Sequence, residues 1–173
     1  MKELLESFKY LLPALVVFAT AYLLIRQMLR RDEKKQQLEI FLNNQKQITP
    51  IRLQAYERLI LFLERINPES LVVRMNESGM NNHQLHQTLL STIRQEFEHN
   101  LTQQLYVSNK VWEQIRNAKE TVIRNINSSA QGINPKNSSL ELSRTILEQH
   151  VETSQAVTQK ALETLRDEVR NLF

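Results

Sequence analysis

The chain has 173 residues, no cysteine, only two glycines and a formal net charge of +3. Without cysteine it has no disulfide framework, no thiolate nucleophile and no cysteine-based zinc site, and two glycines are too few for a glycine-rich phosphate loop. Low glycine and aromatic contents disfavour an all-β fold, so the composition predicts an all-α protein.

The positive charge is concentrated at the start of the chain. Residues 1–35 contain seven of the 22 basic and four of the 19 acidic residues, which leaves 15 of each sign in residues 36–173. A nucleic-acid-binding module needs a concentrated basic face. The neutral body therefore predicts no nucleic-acid binding.

An uncharged run of 16 residues extends from Tyr10 to Ile25. As a helix it is about 24 Å long, slightly short of a bilayer core. Met28 and Leu29 lengthen it, and the charged heads of Lys9 and Arg26 can reach the two interfaces. The pattern predicts a transmembrane helix over residues 10–29, preceded by a short extracytoplasmic leader at 1–9.

Two alternatives to a retained anchor remain open, a cleaved signal peptide and a buried helix of a soluble protein. The triplet Ala19-Thr20-Ala21 matches the small-x-small pattern of signal cleavage sites. However, the leader carries Glu3 and Glu6, and the apolar stretch Tyr22–Ile25 continues beyond the potential cut. These features favour the anchor.

The flanks of the run predict its orientation. Lys2 and Lys9 on one side are matched by acidic neighbours, whereas five basic residues follow the run without such a balance. Because Lys and Arg resist translocation, we expect a single-pass protein of the cytoplasmic (inner) membrane, with the N-terminus outside and the body in the cytoplasm. The orienting residues either set topology alone or also attract anionic lipid headgroups: Arg26, Arg30, Arg31, Lys34 and Lys35.

Residues 30–48 contain no proline or glycine and predict a juxtamembrane extension of the same helix. Thr49 before Pro50 predicts the end of that element and the N-cap of the next. The cytoplasmic domain is accordingly predicted over 49–173. Its first helix, 50–66, is apolar on most sides, which is typical of the centre of a bundle.

Further capping and break signals divide the rest of the body into helices. Asn67-Pro68 predicts a short helix to Met75, and a loop containing Gly79 precedes a helix from Asn82 to about residue 99. Residues 102–107 are either helical or extended. Ser108 predicts the cap of a helix to about Ala130, and Ser138 with Glu141 predicts a capping box that opens a final helix to Phe173. The prediction is a bundle of about four to five helices with a long last one.

The final helix carries an incomplete heptad pattern. Ser154, Thr158 and Glu168 interrupt its apolar seam, where a strict coiled coil requires apolar residues. A homo-oligomer through this helix is therefore a possibility rather than an expectation. The apolar positions of the seam are Leu147, Val151, Ala161, Leu165 and Leu172.

Few residues have the spacing that metal binding or catalysis requires. His83 and His86, and Glu96 with His99, have the three-residue spacing that places ligands on one helix face, but di-iron bundles use two Glu-x-x-His motifs and only one occurs here. The chain contains no nucleophile elbow and no nucleotide-binding loop. We expect no catalytic residues, no metal and no cofactor, with an unrecognised helical enzyme as the remote alternative.

Trp112 and Tyr106 have two interpretations, an anchor pair for a protein partner or part of the core. Trp and Tyr dominate interface energetics, but a single Trp on the apolar stripe of a helix is more often buried. The core interpretation is favoured.

Three segments, "RLQAYERLILFLERINPESLVVRM", "RQEFEHNLTQQLYVS" and "VWEQIRNAKE", resemble an uncharacterised family of short bacterial proteins with an N-terminal membrane anchor and a helical cytoplasmic region. The resemblance implies a location at the membrane and a helical architecture, and it implies no activity. Together with the residues it predicts a non-catalytic binding or scaffolding module that recruits an unknown protein partner to the membrane. The alternative is a structural stalk or coiled-coil element of a membrane complex, which the predicted breaks at Pro50, Pro68, Gly79 and Pro135 disfavour.

Overall fold

The computed structural model describes residues 2–149 and 151–172, and it describes their side chains except those of residues 2–14, 16, 19, 149, 151 and 152. The described residues form six α-helices and one short 3-10 helix, with no strand longer than an isolated bridge between Asn81 and Ser138. The all-α prediction is confirmed. The helices are α1 (Lys2–Ile66), α2 (Pro68–Met75), α3 (Asn82–Asn100), α4 (Asn109–Ala130), α5 (Ser139–Gln149) and α6 (Val151–Leu172), and the 3-10 helix is Leu101–Leu105.

The chain divides into two compact units, an N-terminal unit, Met1–Thr49, and a C-terminal unit, Pro50–Phe173. In the N-terminal unit every described side chain from Leu15 to Ile48 is exposed. The C-terminal unit contains the buried apolar core. The four-part division predicted from the sequence, with a leader, a span, an extension and a domain, stays a prediction.

Local sequence explains where the helices of the C-terminal unit begin. The Asn67 side chain accepts a hydrogen bond from the Glu69 N–H at the start of α2, and Ser108 does the same for the Val111 N–H at the start of α4. Such caps satisfy backbone donors that have no partner inside the helix. Both caps were predicted.

Two further starts differ from the sequence prediction. At α3, Asn81 and Gln84 form a reciprocal capping box that was not predicted. At α5, the Ser138 hydroxyl accepts from the Leu140 N–H, and the carboxylate of Glu141 accepts from the Asn137 side chain. The predicted reciprocal pair of Ser138 and Glu141 is therefore replaced by contacts to other residues, because Asn137 lies within reach of the same carboxylate.

The core is built from the apolar stripes of all the helices in the C-terminal unit. The last turns of α1 contribute buried residues on more than one side, as expected for a central helix. Leu53, at the start of the same stretch, is exposed. The α1 residues in the core are Tyr56, Leu59, Phe62, Leu63 and Ile66, and they pack with Leu85, Leu89 and Ile93 of α3, Val111, Ile115, Val122 and Ile126 of α4, and Leu142, Ile146, Ala161 and Leu165 of α5 and α6.

The helix break predicted at Thr49 and Pro50 is wrong. Helix α1 is continuous through Pro50, although proline removes one intrahelical hydrogen bond and crowds the preceding turn. Two residues of the turns that follow, Ala55 and Leu59, are fully buried, and tertiary packing of this kind holds a helix whose local sequence would end it. Thr49 is therefore an interior residue of α1 and does not act as an N-cap.

The seam of the predicted final helix lies inside the C-terminal unit. Ser154, Thr158, Ala161 and Leu165 are all buried, and α6 packs most extensively on α4. Val151 belongs to the residues whose side chains are not described, and residue 150, in the middle of the predicted helix, is likewise outside the described set. The described seam residues from Ser154 to Leu165 are therefore used for packing within the chain, whereas Leu172 is exposed.

The predicted transmembrane helix over 10–29 gains no support from the structure. Among the residues described, no helix has a stretch that is both long and apolar enough to span a bilayer. The side chains of residues 10–14, the first part of the predicted span, lie outside the described set.

Candidate functional site

One polar cluster of the C-terminal unit is centred on Glu168 in α6. Its Oε1 accepts hydrogen bonds from the Tyr56 hydroxyl at 2.7 Å and from the Ser108 N–H at 2.9 Å, and its Oε2 accepts from the Ser108 hydroxyl. Arg52 donates to the Tyr56 hydroxyl at 3.1 Å and to the Tyr106 carbonyl at 3.2 Å. The cluster thus joins α1, the start of α4 and the end of α6.

These contacts shift two pKa values in opposite directions. Burial alone would raise the pKa of Glu168, but the hydrogen bonds from Ser108 and Tyr56 outweigh it and lower that pKa. Burial raises the pKa of Tyr56, and the hydrogen bond to the Glu168 carboxylate raises it further, while Arg52 opposes the change. The carboxylate is therefore held ionised and the phenol neutral.

The geometry suits a structural clamp better than catalysis. A serine nucleophile needs a neighbouring base with a pKa near the working pH, whereas the pKa of Glu168 is lowered. The Ser108 hydroxyl is also engaged as the cap of α4, where it accepts from the Val111 N–H. Glu168 is one of three polar residues that interrupt the apolar seam, and that interruption is the sequence signal that marked it.

A second polar cluster links the loop before α3 to the loop before α5. The buried Asn82 side chain donates to the Asn134 carbonyl at 2.9 Å and to the Glu141 carboxylate at 3.2 Å, and it accepts from the Leu142 N–H at 3.1 Å. Two backbone bonds run alongside, from Asn82 N to Asn137 O and from Ser139 N to Met80 O. Asn82 therefore fixes the geometry of both loops.

His83 and His86 lie at an open pocket of about 210 Å³ beside this cluster. Nε2 of His86 is 2.8 Å from Oδ1 of Asn127, so the imidazole donates to that amide oxygen. The pocket combines these polar groups with apolar ones, and its lining consists of Asn82, His83, His86, Ala130, Ile133, Pro135 and Leu142.

The Glu-x-x-His pair is occupied by other contacts. Glu96 forms an ion pair with Arg65 at 3.0 Å, and Nδ1 of His99 is 3.0 Å from the Gln95 carbonyl. Within residues 2–149 and 151–172, wherever side chains are described, no three His, Asp or Glu residues are grouped closely enough to hold a metal ion.

Trp112 and Tyr106 are both half-buried. Trp112 stacks on Phe97 with ring centroids 5.4 Å apart, Phe97 in turn contacts Phe62 at 5.8 Å, and Nζ of Lys119 lies 4.1 Å from the centre of the Phe97 ring. Trp112 packs against the core cluster, which agrees with the core interpretation of this residue.

The predicted membrane-orienting residues all lie on the exposed surface of α1, together with large apolar side chains that are also exposed. Their orienting role stays a prediction. The five basic residues are Arg26, Arg30, Arg31, Lys34 and Lys35, and the apolar side chains around and before them include Leu15, Val17, Phe18, Tyr22, Leu23, Leu24, Ile25, Met28 and Leu29.

Comparison with known proteins gives one relationship. No curated protein and no solved structure matches the chain. A family model covers residues 2–172, nearly the whole sequence. The chain therefore belongs to DUF7935, a family of unknown function.

Proposed function

We propose that the protein is a single-pass, membrane-anchored helical module that recruits a protein partner to the cytoplasmic face of the inner membrane without catalysing a reaction. The observation that carries the anchor is the exposure of four consecutive apolar residues in α1. Tyr22, Leu23, Leu24 and Ile25 are 56%, 60%, 64% and 60% exposed.

Four consecutive residues point to all sides of a helix, because each is rotated by about 100° from the last. A helix that lies on a protein surface has one apolar and one polar side, and so does a helix that lies in the plane of a membrane interface. An apolar helix surface on every side fits lipid, which surrounds a membrane span completely. The uncharged run Tyr10–Ile25 in the sequence supports the same reading.

The orientation is supported by the basic flank. Arg26, Arg30 and Arg31 begin directly after the apolar run, and Lys34 and Lys35 follow. These charges favour the cytoplasmic side, and near anionic headgroups each contributes on the order of 1 kcal/mol of attraction.

The non-catalytic role is supported by how the polar groups of the C-terminal unit are used. Glu168 has a lowered pKa and accepts hydrogen bonds from Ser108 and Tyr56. In the described part of the chain, no buried polar side-chain atom lacks a hydrogen-bond partner. Groups that are satisfied within the chain stabilise it, whereas active sites commonly keep groups poised for substrate.

The alternative, a stalk in a membrane complex, is favoured by one observation, the continuity of α1 through Pro50. The predicted break at that residue was the first argument against a stalk. Residues 26–49 alone form a helix of about 36 Å, and the described side chains of this stretch up to Ile48 are exposed. A stalk would use this segment for its contacts, whereas a recruiting module would use the C-terminal unit.

Membrane extraction and topology test the anchor. The chain lacks cysteine, so single cysteines at Glu3 and Asn171 can be labelled in intact cells with a membrane-impermeant maleimide. We expect the full chain to resist alkaline extraction, with Glu3→Cys labelled and Asn171→Cys protected. Extraction into the soluble fraction, or labelling at residue 171 only, would contradict the proposal.

Charge substitution tests the orientation. Replacing Arg26, Arg30, Arg31, Lys34 and Lys35 by Gln should give mixed labelling at the two sites. The matched control replaces exposed basic residues of the C-terminal unit, Arg94, Lys110, Arg116, Arg124 and Lys136, and should leave topology unchanged. If both sets behave alike, the charge argument fails.

In-cell crosslinking distinguishes the two functions. A photoreactive residue at exposed positions of the C-terminal unit, such as Arg58 and Glu113, should capture one reproducible partner if the protein recruits it there. Capture only from positions within residues 26–49 would support the stalk instead.

A further inference from the structure

Helix α1 carries one uninterrupted series of heptad positions over much of its length. The members alternate in steps of three and four residues, which keeps them on one side of the helix. The series is Leu38, Phe41, Gln45, Ile48, Arg52, Ala55, Leu59, Phe62 and Ile66.

The two halves of the series differ in what covers them. Ala55, Leu59, Phe62 and Ile66 are all at most 1% exposed and belong to the interior of the C-terminal unit. Upstream, Leu38, Phe41 and Ile48 are 57%, 57% and 51% exposed. The same apolar stripe is thus used for packing in its second half and uncovered in its first half. We call Leu38, Phe41, Gln45 and Ile48 the open seam.

Within residues 36–51 the flanks of the open seam carry no charge. The series reaches charged residues beyond these bounds, at Lys34, one step before Leu38, and at Arg52. From Gln36 to Ile51 the only charged residues are Glu39 and Lys46, which are seven residues apart and therefore share one side of the helix. That side is more than 120° away from the middle of the open seam at about 100° per residue. The positions that flank the seam are all uncharged: Gln37, Leu42, Asn44 and Thr49.

Local propensity does not account for a helix in this stretch. Asn43 and Asn44 are poor helix formers, and Glu39 and Lys46, seven residues apart, do not form an i,i+4 pair with each other. Isolated helices of such composition are marginal in water. Burial of the open seam against another helix would supply the missing stabilisation.

We infer that the open seam binds the same segment of a second copy of this chain, in a parallel two-stranded coiled coil. In a parallel pair each residue faces its own counterpart, so a charge within the paired stretch or beside it would repel itself. The face between Gln36 and Ile51 satisfies this condition, and Lys34 and Arg52 limit the pair to that stretch. A charged partner would find no complementary group on this face. The parallel direction rests on the proposed function, because two copies anchored in one membrane enter the cytoplasm with the same polarity.

Gln45 has a definite place in this arrangement. It occupies the core position between Leu38 and Arg52, where a polar residue lowers stability but specifies register and a two-stranded state. In a parallel pair the two Gln45 amides lie opposite each other and can form hydrogen bonds to one another. An antiparallel pair would place each amide against an apolar side chain.

Disulfide mapping in native membranes tests the proposal, with the full chain carrying one introduced cysteine at a time. Disulfides require Cα atoms within about 7 Å. We expect covalent dimers with Leu38→Cys, Phe41→Cys, Gln45→Cys and Ile48→Cys after mild oxidation. Ile40→Cys is the matched control, since Ile40 is apolar and 61% exposed but lies off the seam, and Glu39→Cys and Lys46→Cys are further controls. The controls should give at least fivefold less dimer.

Other patterns would overturn the inference. Crosslinking at one seam position alone indicates an antiparallel pair, and equal crosslinking at all seven positions indicates random collision. If no position gives a disulfide-linked dimer, and the segment is instead captured by a different protein or protected by lipid, then another occupant covers the open seam. A loss of dimer that is the same for Phe41→Asn and for Ile40→Asn would also contradict a specific seam.

The same samples separate this inference from the membrane proposal. Alkaline extraction reports the anchor, and the periodicity of crosslinking reports the seam. Seam crosslinks in a chain that extracts into solution would leave the dimer standing and the anchor wrong. A chain that stays in the membrane fraction but shows no seam crosslinks would leave the anchor standing and the dimer wrong.

Discussion

The hydroxyl of Tyr56 in α1 donates a 2.7 Å hydrogen bond to the carboxylate of Glu168 in α6, across 112 positions of the sequence. The same carboxylate accepts from the backbone N–H of Ser108. One ionised side chain therefore holds three helices together, and replacing it should lower the free energy of unfolding.

Replacing Glu168 by Gln should destabilise the C-terminal unit by about 1.5 to 3 kcal/mol at neutral pH, the range for hydrogen bonds to a charged group. Because the fold lowers the pKa of Glu168 below its ordinary value of 4.5, the ionised carboxylate stabilises the fold above that pH. This contribution is lost as pH falls through the folded pKa. Denaturant unfolding followed by Trp112 fluorescence checks the value.

The difference in stability between the parent chain and Glu168→Gln should therefore shrink on acidification below pH 4.5. Glu163→Gln, an exposed position of the same helix, is the matched control and should differ little from the parent at any pH. A difference for Glu168→Gln that stays constant from pH 7 to pH 3 would mean that the carboxylate charge is unimportant.

Replacing Asn82 by Ala should cost about 2 to 3 kcal/mol of the free energy of unfolding. The substitution removes the acceptor for the buried Leu142 N–H and the donor to the Asn134 carbonyl and the Glu141 carboxylate. An unsatisfied buried group carries its full desolvation penalty. Asn82→Asp should be worse, since its carboxylate would face Glu141. Chemical denaturation measures both variants, and Asn117→Ala, at an exposed site, should change stability by less than about 0.5 kcal/mol.

Asn125 and Ser154 should behave as a coupled pair. The Asn125 amide donates a 2.8 Å hydrogen bond to the Ser154 hydroxyl, and both residues are buried between α4 and α6. Ser154→Ala should cost about 1 to 2 kcal/mol because the amide loses its acceptor, whereas adding Asn125→Leu should restore part of the loss. A double-mutant cycle with a coupling energy near zero would show that the contact is not formed in solution.

The fluorescence of Trp112 should be that of a partly buried indole. Its emission maximum should lie to the blue of free tryptophan in water, because the ring stacks on Phe97 and packs against the core. Phe97→Leu should move the maximum to the red by opening the stack, while Phe18→Leu in the N-terminal unit should leave it in place. Emission at the position of free tryptophan in the parent chain would contradict this packing.

Local sequence predicted most of the helices and caps, because those features depend on neighbours in the chain. Asn67 and Ser108 lie next to the helices that they cap, and the apolar stripes of α3 and α4 repeat at short intervals. The same reasoning failed at Pro50, where the local preference for ending a helix is outweighed by the burial of Ala55 and Leu59.

The polar clusters could not be predicted in this way. Ser154 and Glu168 were visible only as interruptions of an apolar seam, since their partners Asn125 and Tyr56 lie 29 and 112 positions away. A hydrogen bond between distant residues leaves no periodic mark on either segment. The interruptions nevertheless had a meaning, because a polar residue in an otherwise apolar stripe is expected to have found a partner.

The long-range bond between Tyr56 and Glu168 also has a consequence for biosynthesis. Contacts of high sequence separation form late, because loop-closure entropy must be overcome first, and α1 and α4 emerge from the ribosome before α6. The contacts of Tyr56 and Ser108 with Glu168 can therefore form only after residue 168 has been translated. Chains that terminate earlier would leave Tyr56 and the Ser108 cap without their shared acceptor and the core open on the α6 side, so that proteases could distinguish incomplete copies from finished ones.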